Sequence, residues 1–194
     1  PANSIVFPSV IIFKKDNWQN ILRNFSDAFF MQLKTNNAQT ASILSSLNLN
    51  EKMDALSKVK KIYEYISKNI AYLNIQPHYY KFAFNNLSTL FEIKSANNFD
   101  KTLMFAALLD HSHIPFSIIL CKTRESGRFN KSISSIRQFD ALALKIKIDG
   151  KDFFVMTSES IRPFNCLPVQ YQNTEAIEIR RNGKFNFIKL AGTD

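Results

Sequence analysis

The stretch Ser95–His111, SANNFDKTLMFAALLDH, constrains this chain more than any other. From Leu103 to Leu109 it is apolar without a break. A helix that buries one stripe alternates apolar and polar residues, whereas one that is apolar all round is enclosed by protein. Asn97 and Asn98 are both suited to capping such a helix, because a short side-chain oxygen can accept from a backbone N–H that has no partner within the helix. The stretch therefore reads as a central buried helix, and its first turn as the place where function is decided.

The remaining sequence must supply the shell. The 194 residues are enough for one domain with a real core. With 45% hydrophobic and 21% charged residues, the chain is globular rather than disordered. No apolar run is long enough to span a bilayer. The opening Pro1-Ala2-Asn3-Ser4 has no basic region of the kind that starts a signal peptide, and it lacks Met, as an excised piece of a longer protein would. The net charge of +9 permits binding to nucleic acid or an anionic surface. The basic residues are scattered, however, with no basic helix interleaved with aromatics, so nucleic acid is not the expected partner.

Taken in order, Ser4–Phe13 reads as an extended entry segment or edge strand around Pro8. Asp16 and Gln19 resemble a capping box for a first helix, Asn17 to Leu33, with Trp18, Leu22, Phe25 and Phe29 on its apolar face. A short helical segment near Ala38–Leu47 follows. Asn48 and Glu51 form a second capping-box pattern ahead of a helix that ends near Asn69. Tyr72–Asn85 reads as a packed loop and Asn86–Ile93 as a short helix. Beyond the central helix the period changes from helical to strand-like: Phe116–Lys122, Phe139–Ile148 and Asp152–Thr157, with a polar loop at Lys122–Gln138. Asp149-Gly150 and Asn182-Gly183 are hairpin signals, the second joining Glu175–Arg181 to Lys184–Leu190. Helices first and strands later argue an α+β fold with helices packed on an antiparallel sheet. Residues 1–47 read as a helical lead-in packed on a core formed by 48–194, within one structural domain.

The order of these segments resembles the transglutaminase-like domains of the papain-like superfamily, in particular a bacterial group in which the domain follows a separate β-rich domain. KIYEYISKNIAYL (Lys61–Leu73) resembles that family's helix ending in an Ile-x-Tyr pair, here Ile70 and Tyr72. ANNFDK (Ala96–Lys101) falls where the family has Gly-Asp-Cys-Lys-Asp-Lys. LLDHSHIPFSIIL falls where it has Gly-Ile-Pro before a strand, FDALAL (Phe139–Leu144) where it has Phe-Asn-His-Ala, and DGKDFFVMTS where a strand ends in Asp-x-Thr. The resemblance implies a papain-like transglutaminase core with the nucleophile helix at its centre. In such a site a cysteine at a helix N-terminus is held as thiolate by the helix dipole and unpartnered N–H groups. A histidine on an adjacent strand takes its proton and an aspartate orients the histidine, so that an acyl group passes to an amine or to water.

This chain departs from that pattern at all three positions. Asn98 stands at the cysteine position, Ala141 at the histidine position, and Met156 (Val155 with the strand slipped by one) at the aspartate position. Asn98 has no ionisable nucleophile, Ala141 cannot move a proton, and neither Val155 nor Met156 can hold an imidazole. The expectation is a catalytically inactive domain acting as a binding or scaffolding module in a larger bacterial, exported protein, export being implied by the resemblance. The alternative is a cysteine-dependent acyl transferase or peptidase with a rebuilt site.

Other candidates are read more plainly. Cys121, after Ile118-Ile119-Leu120, is expected to be a buried strand thiol, and Cys166 lies in a loop between Pro163 and Pro168. His111 and His113 form a His-x-His pair, but a metal needs three or four ligands and the one other histidine is His78, so no metal and no cofactor is expected. His113 falls where the family ends its helix with glycine, a position that favours positive φ. In the loop Lys122–Gln138, Lys122, Arg124, Arg128, Lys131 and Arg137 stand against Glu125 alone. That loop is expected to offer a basic rim to a protein, an anionic polymer or a neighbouring domain of the same chain.

Overall fold

The computed structural model describes residues 16–34, 37–50, 52–75, 84–159 and 162–192. The entry segment Ser4–Phe13, Glu51, His78 and most of the Tyr72–Asn85 segment lie outside them. Helix α1 is Trp18–Leu33, α2 Asn37–Ser46 and α3 Ala55–Asn69. The apolar spacing places the α1 stripe as expected, with Trp18, Leu22, Phe25, Phe29 and Leu33 buried. The caps differ from the sequence reading. Asn17, not Asp16, caps α1 by accepting from the Asn20 N–H, and Gln19 instead donates to the Gly183 carbonyl. Asp54 caps α3, its carboxylate taking both the N–H and the hydroxyl of Ser57 at 2.9 and 2.6 Å. Asn48, with φ near 50°, turns the chain out of α2 rather than into α3. In both places a polar residue nearer the helix is the one whose oxygen reaches the third N–H.

Strand β1 (Ala71–Tyr72) pairs in parallel with β2 (Ser95–Ala96) on either side of α4 (Leu87–Ile93), which Asn86 caps. This two-residue pair, too short to leave a sequence pattern, leads directly into α5, Asn98–His111. As the unbroken apolar run requires, every residue of α5 from Asn98 to Leu109 is buried. It packs against α1, α2, α3, α4 and the sheet. Burying each Leu or Phe of such a helix contributes roughly 1.5–3 kcal/mol, and Leu103, Phe105, Leu108 and Leu109 are all fully enclosed.

The sheet has strand order β5-β4-β3-β6-β7 and is antiparallel throughout, from β3 (Phe116–Cys121), β4 (Ala141–Ile148), β5 (Lys151–Val155), β6 (Glu175–Ile179) and β7 (Phe185–Lys189). Alternation assigns its two faces. Ile118, Leu120, Leu142 and Leu144 join the main core with α5. Ile119, Cys121, Ala141 and Ala143 face a smaller cluster, closed by Met156, Leu167 and Tyr171 from the irregular segment after β5. The Asp149-Gly150 turn has both residues left-handed, at φ 49° and 77°, as a two-residue hairpin demands. The second hairpin is wider than its Asn-Gly signal predicts. Gly183 alone is left-handed, and the bonds run from its N–H to the Arg180 carbonyl and from the Arg180 N–H to the Lys184 carbonyl. That is a three-residue loop with a glycine bulge, and a Cβ placed on Gly183 would lie 3.5 Å from the Arg23 side chain on α1. The chain is thus an α+β domain with helices on an antiparallel five-stranded sheet.

Candidate functional site

The first turn of α5 faces the start of β4. Asn97 is the cap, accepting from the Asp100 N–H at 3.0 Å, which makes Asn98 the first helical residue. Leu142 lies two residues beyond the last β4–β5 pair, Leu144 with Val155. Its peptide groups are taken by Asn98 instead: the amide oxygen accepts from the Leu142 N–H at 2.5 Å and the amide nitrogen donates to its carbonyl at 3.1 Å. A carboxamide carries one strong acceptor and donors on adjacent atoms, so it can complete both bonds as a neighbouring strand would, and a thiol cannot. One turn later the Thr102 hydroxyl donates to the same carbonyl at 3.4 Å.

Ala141, immediately before Leu142, pairs with Cys121 across β3–β4. It is buried in the small cluster together with Met156. Val155, the other reading of the aspartate position, turns to the main core. The structure therefore gathers Asn98, Ala141 and Met156 in one neighbourhood, Asn98 bonded to the residue after Ala141 and Ala141 sharing a cluster with Met156. Met156 itself lies one residue past the end of β5, which is shorter than the Asp152–Thr157 strand expected from sequence.

Above this junction is a polar cleft of about 660 Å³, lined by Asn98, Asp140, Ser158, Glu159 and Tyr72 among others. Asp140 carries no motif that marks it in the sequence. Its carboxylate accepts from the Thr123 N–H, the Thr123 hydroxyl and the Ser126 hydroxyl, each at 2.8 Å, and so pins the basic loop to β4. No local spacing announces this, because its partners lie 14 and 17 residues away. Burial, and the nearby Glu159 carboxylate, push the Tyr72 phenol above its ordinary range.

The two α5 residues that match the family motif are structural. Asp100 is buried and accepts from the Asn85 N–H, the Asn85 amide and the Asn97 amide at 3.1, 2.5 and 3.0 Å. Lys101 is fully buried and donates to the Ile70 carbonyl at the end of α3, at 2.7 Å. Burial lowers its amine from 10.5 to about 8.

The two cysteines sit in different surroundings. Cys121 is fully buried, its thiol lies 3.7 Å from the Ile119 carbonyl, and burial pushes its pKa far above the ordinary range. Cys166 is half-buried. His111 and His113 are exposed at the far end of α5, about 20 Å along the axis from Asn98 at 1.5 Å per residue. Among the described residues no group of three His, Cys, Asp or Glu side chains could hold a metal ion, and no helix is long and apolar enough to cross a membrane.

The basic loop is more ordered than its polar sequence suggests. Phe129 lies in an aromatic cluster with Trp18, Phe139 and Phe187, at centroid distances of 5.6, 5.0 and 5.7 Å. The Trp18 indole donates to the Lys131 carbonyl at 2.7 Å. Of the rim residues, Lys131 pairs with Glu175 at 2.7 Å and Arg124 donates to the Val169 carbonyl at 2.6 Å, while Arg128 and Arg137 are exposed.

No family model matches the sequence, and no curated protein matches it. Among solved structures, the chain is similar to the crystal structure of a putative protease from Parabacteroides distasonis, with a TM-score of 0.67 at 14% identity. The match covers 92% of this chain but 32% of that one, so the chain spans about a third of that protein's length. At this identity the likeness establishes the fold.

Proposed function

We propose that this is a transglutaminase-like domain that has lost catalysis and serves as a binding or scaffolding module within a larger bacterial, exported protein. One observation carries the reading. The position that would hold the nucleophile is Asn98, and its amide is spent on both backbone groups of Leu142. A carboxamide is no nucleophile, its nitrogen pair being delocalised into the carbonyl, and this one is held in place by β4; Ala141, the residue before Leu142, is sealed in an apolar cluster. The fold likeness to a protein described as a protease supports the ancestry, and the open polar cleft supports retained binding.

The test is an activity screen of the chain as it stands. Transamidation of a glutamine donor with a fluorescent amine, ammonia release and peptide cleavage are measured with and without iodoacetamide. The expected result is no turnover above buffer in either arm. Turnover that alkylation abolishes, and that disappears in Cys166→Ser or Cys121→Ser, overturns the reading and establishes an enzyme with a rebuilt site.

A further inference from the structure

Beside the polar cleft runs a second groove, of about 560 Å³, between the basic loop and the run into β6. Lys122, Arg124 and Arg128 line it, with Phe129 among its walls. Lys122 donates to the Gln138 carbonyl at 3.1 Å and Arg124 to the Val169 carbonyl at 2.6 Å. These acceptors are neutral, so they fix the side chains in place without cancelling their charge. Arg128 forms no ion pair among the described residues. The one carboxylate lining the groove, Glu175, is already matched by Lys131, whose ammonium also lies 5.3 Å from the Phe187 ring centre.

The loop that carries these cations is built rather than slack. Its Phe129 is packed among Trp18, Phe139 and Phe187. The Gln138 side chain closes it from within, donating to the Asn130 and Ile133 carbonyls at 3.0 and 2.6 Å and accepting from the Asn130 N–H at 3.0 Å. A ligand meeting such a surface has little ordering to impose, which is where flexible sites lose affinity.

We propose that this groove is a docking site for an extended acidic polypeptide segment. This deepens the binding-module reading and rests on it. Guanidinium groups match carboxylates in paired, planar hydrogen bonds, and three uncompensated cations in one groove suit a few carboxylates on a single strand of chain. Nucleic acid fits less well. Its affinity comes from neutralising many phosphates along a continuous track, and among the described residues the other basic pairs, Lys60-Lys61 on α3 and Arg180-Arg181 at the β6–β7 turn, stand on separate elements.

The experiment is fluorescence anisotropy with a labelled glutamate-rich peptide and, separately, a labelled oligothymidylate of equal charge. The peptide is expected to bind, to weaken as salt rises, and to lose roughly tenfold or more in affinity in Arg128→Glu. Arg128 is exposed, so that variant is expected to fold; Arg124→Gln is the second, with circular dichroism as its folding check. Lys60→Glu, an exposed change of equal charge on α3, is the control and is expected to leave affinity within about twofold. No peptide binding, or equal losses in Arg128→Glu and Lys60→Glu, overturns the proposal. Tighter binding of the oligothymidylate, lost in the same loop variants, overturns it in favour of nucleic acid. Each of these outcomes is separate from the activity screen, since thiol-dependent turnover would refute inactivity without touching the groove.

Discussion

The two ends of α5 belong to one helix with one apolar middle, yet they are held by opposite kinds of chemistry. At the first turn Asn98, Asp100, Lys101 and Thr102 are all buried. Asn98 and Thr102 are bonded to β4, Asp100 to the segment before α4, and Lys101 to the end of α3. At the last turn the polar groups face water. Asp110 pairs with Arg181 across to the β6–β7 turn, the Arg181 guanidinium lies 4.9 Å over the Phe30 ring centre, and His111 and His113 are exposed. A buried polar group left without its partner costs about 1–3 kcal/mol, more if charged, whereas an exposed ion pair is worth about 0–1 kcal/mol. The first turn therefore fixes where the helix sits, and the last turn only finishes it.

The sharpest way to break that contrast is at Asp100. Asp100→Ala removes a buried carboxylate and its three part-buried hydrogen bonds and is expected to destabilise by about 3 kcal/mol or more, read as a fall in the urea midpoint at unchanged slope. Asn98→Ala is expected to cost about 2–3 kcal/mol, because the N–H and carbonyl of Leu142 both lose their partner. A near-neutral Asn98→Ala would mean that β4 repairs itself, and the first turn would then be no more demanding than the last.

How much of this was legible in the sequence follows the same division. The central helix was readable because unbroken apolarity over Leu103–Leu109 has few other solutions. The sheet was readable because β4 alternates and Asp149-Gly150 marks its turn. Apolar periodicity reports what faces the core, and it reports it locally. What it missed is non-local and polar. Nothing near Asn98 indicates that its amide will complete the backbone of a residue 44 positions away. Nothing near Asp140 shows that it gathers Thr123 and Ser126. The order of the basic loop is hidden in its polar sequence because its anchor, Phe129, finds Trp18 and Phe187 only in three dimensions. The caps were misplaced for a related reason: Asp16 and Asn17, or Asn48 and Asp54, are chemically equivalent on paper, and the backbone angle decides which oxygen reaches the helix.

Lys101 sharpens the contrast through pH. Its amine titrates near 10.5 when unfolded and at about 8 when buried in the fold. Between those values the unfolded chain holds a proton that the folded chain does not, so unfolding takes up a proton and stability rises with pH. The contribution is full above 10.5 and is lost as pH falls through 8. In Lys101→Met the charge is gone and this climb is expected to vanish, so the difference between the two stability curves steepens from pH 8 to 10.5. Urea midpoints measured across that window check it. Parallel curves would show that water reaches the amine and that the first turn is less dry than its geometry indicates.

The smallest effect is expected at the opposite end, with the opposite sign. His113 has φ near 56°, its N–H donates to the Asp110 carbonyl at 3.0 Å, and the Ile114 N–H donates to the Leu109 carbonyl at 2.9 Å. This is the helix ending that favours glycine, because a Cβ crowds the backbone in the left-handed region. The imidazole is exposed, so little packing is lost with it. His113→Gly is therefore expected to stabilise by up to about 1 kcal/mol: the relief of backbone strain outweighs the added freedom of the unfolded chain where native φ is positive. Thermal unfolding of the variant measures it as a modest rise in Tm. A clear loss instead would show that the imidazole holds the end of α5 through a contact as demanding as those at its start, and the two ends would no longer differ in kind.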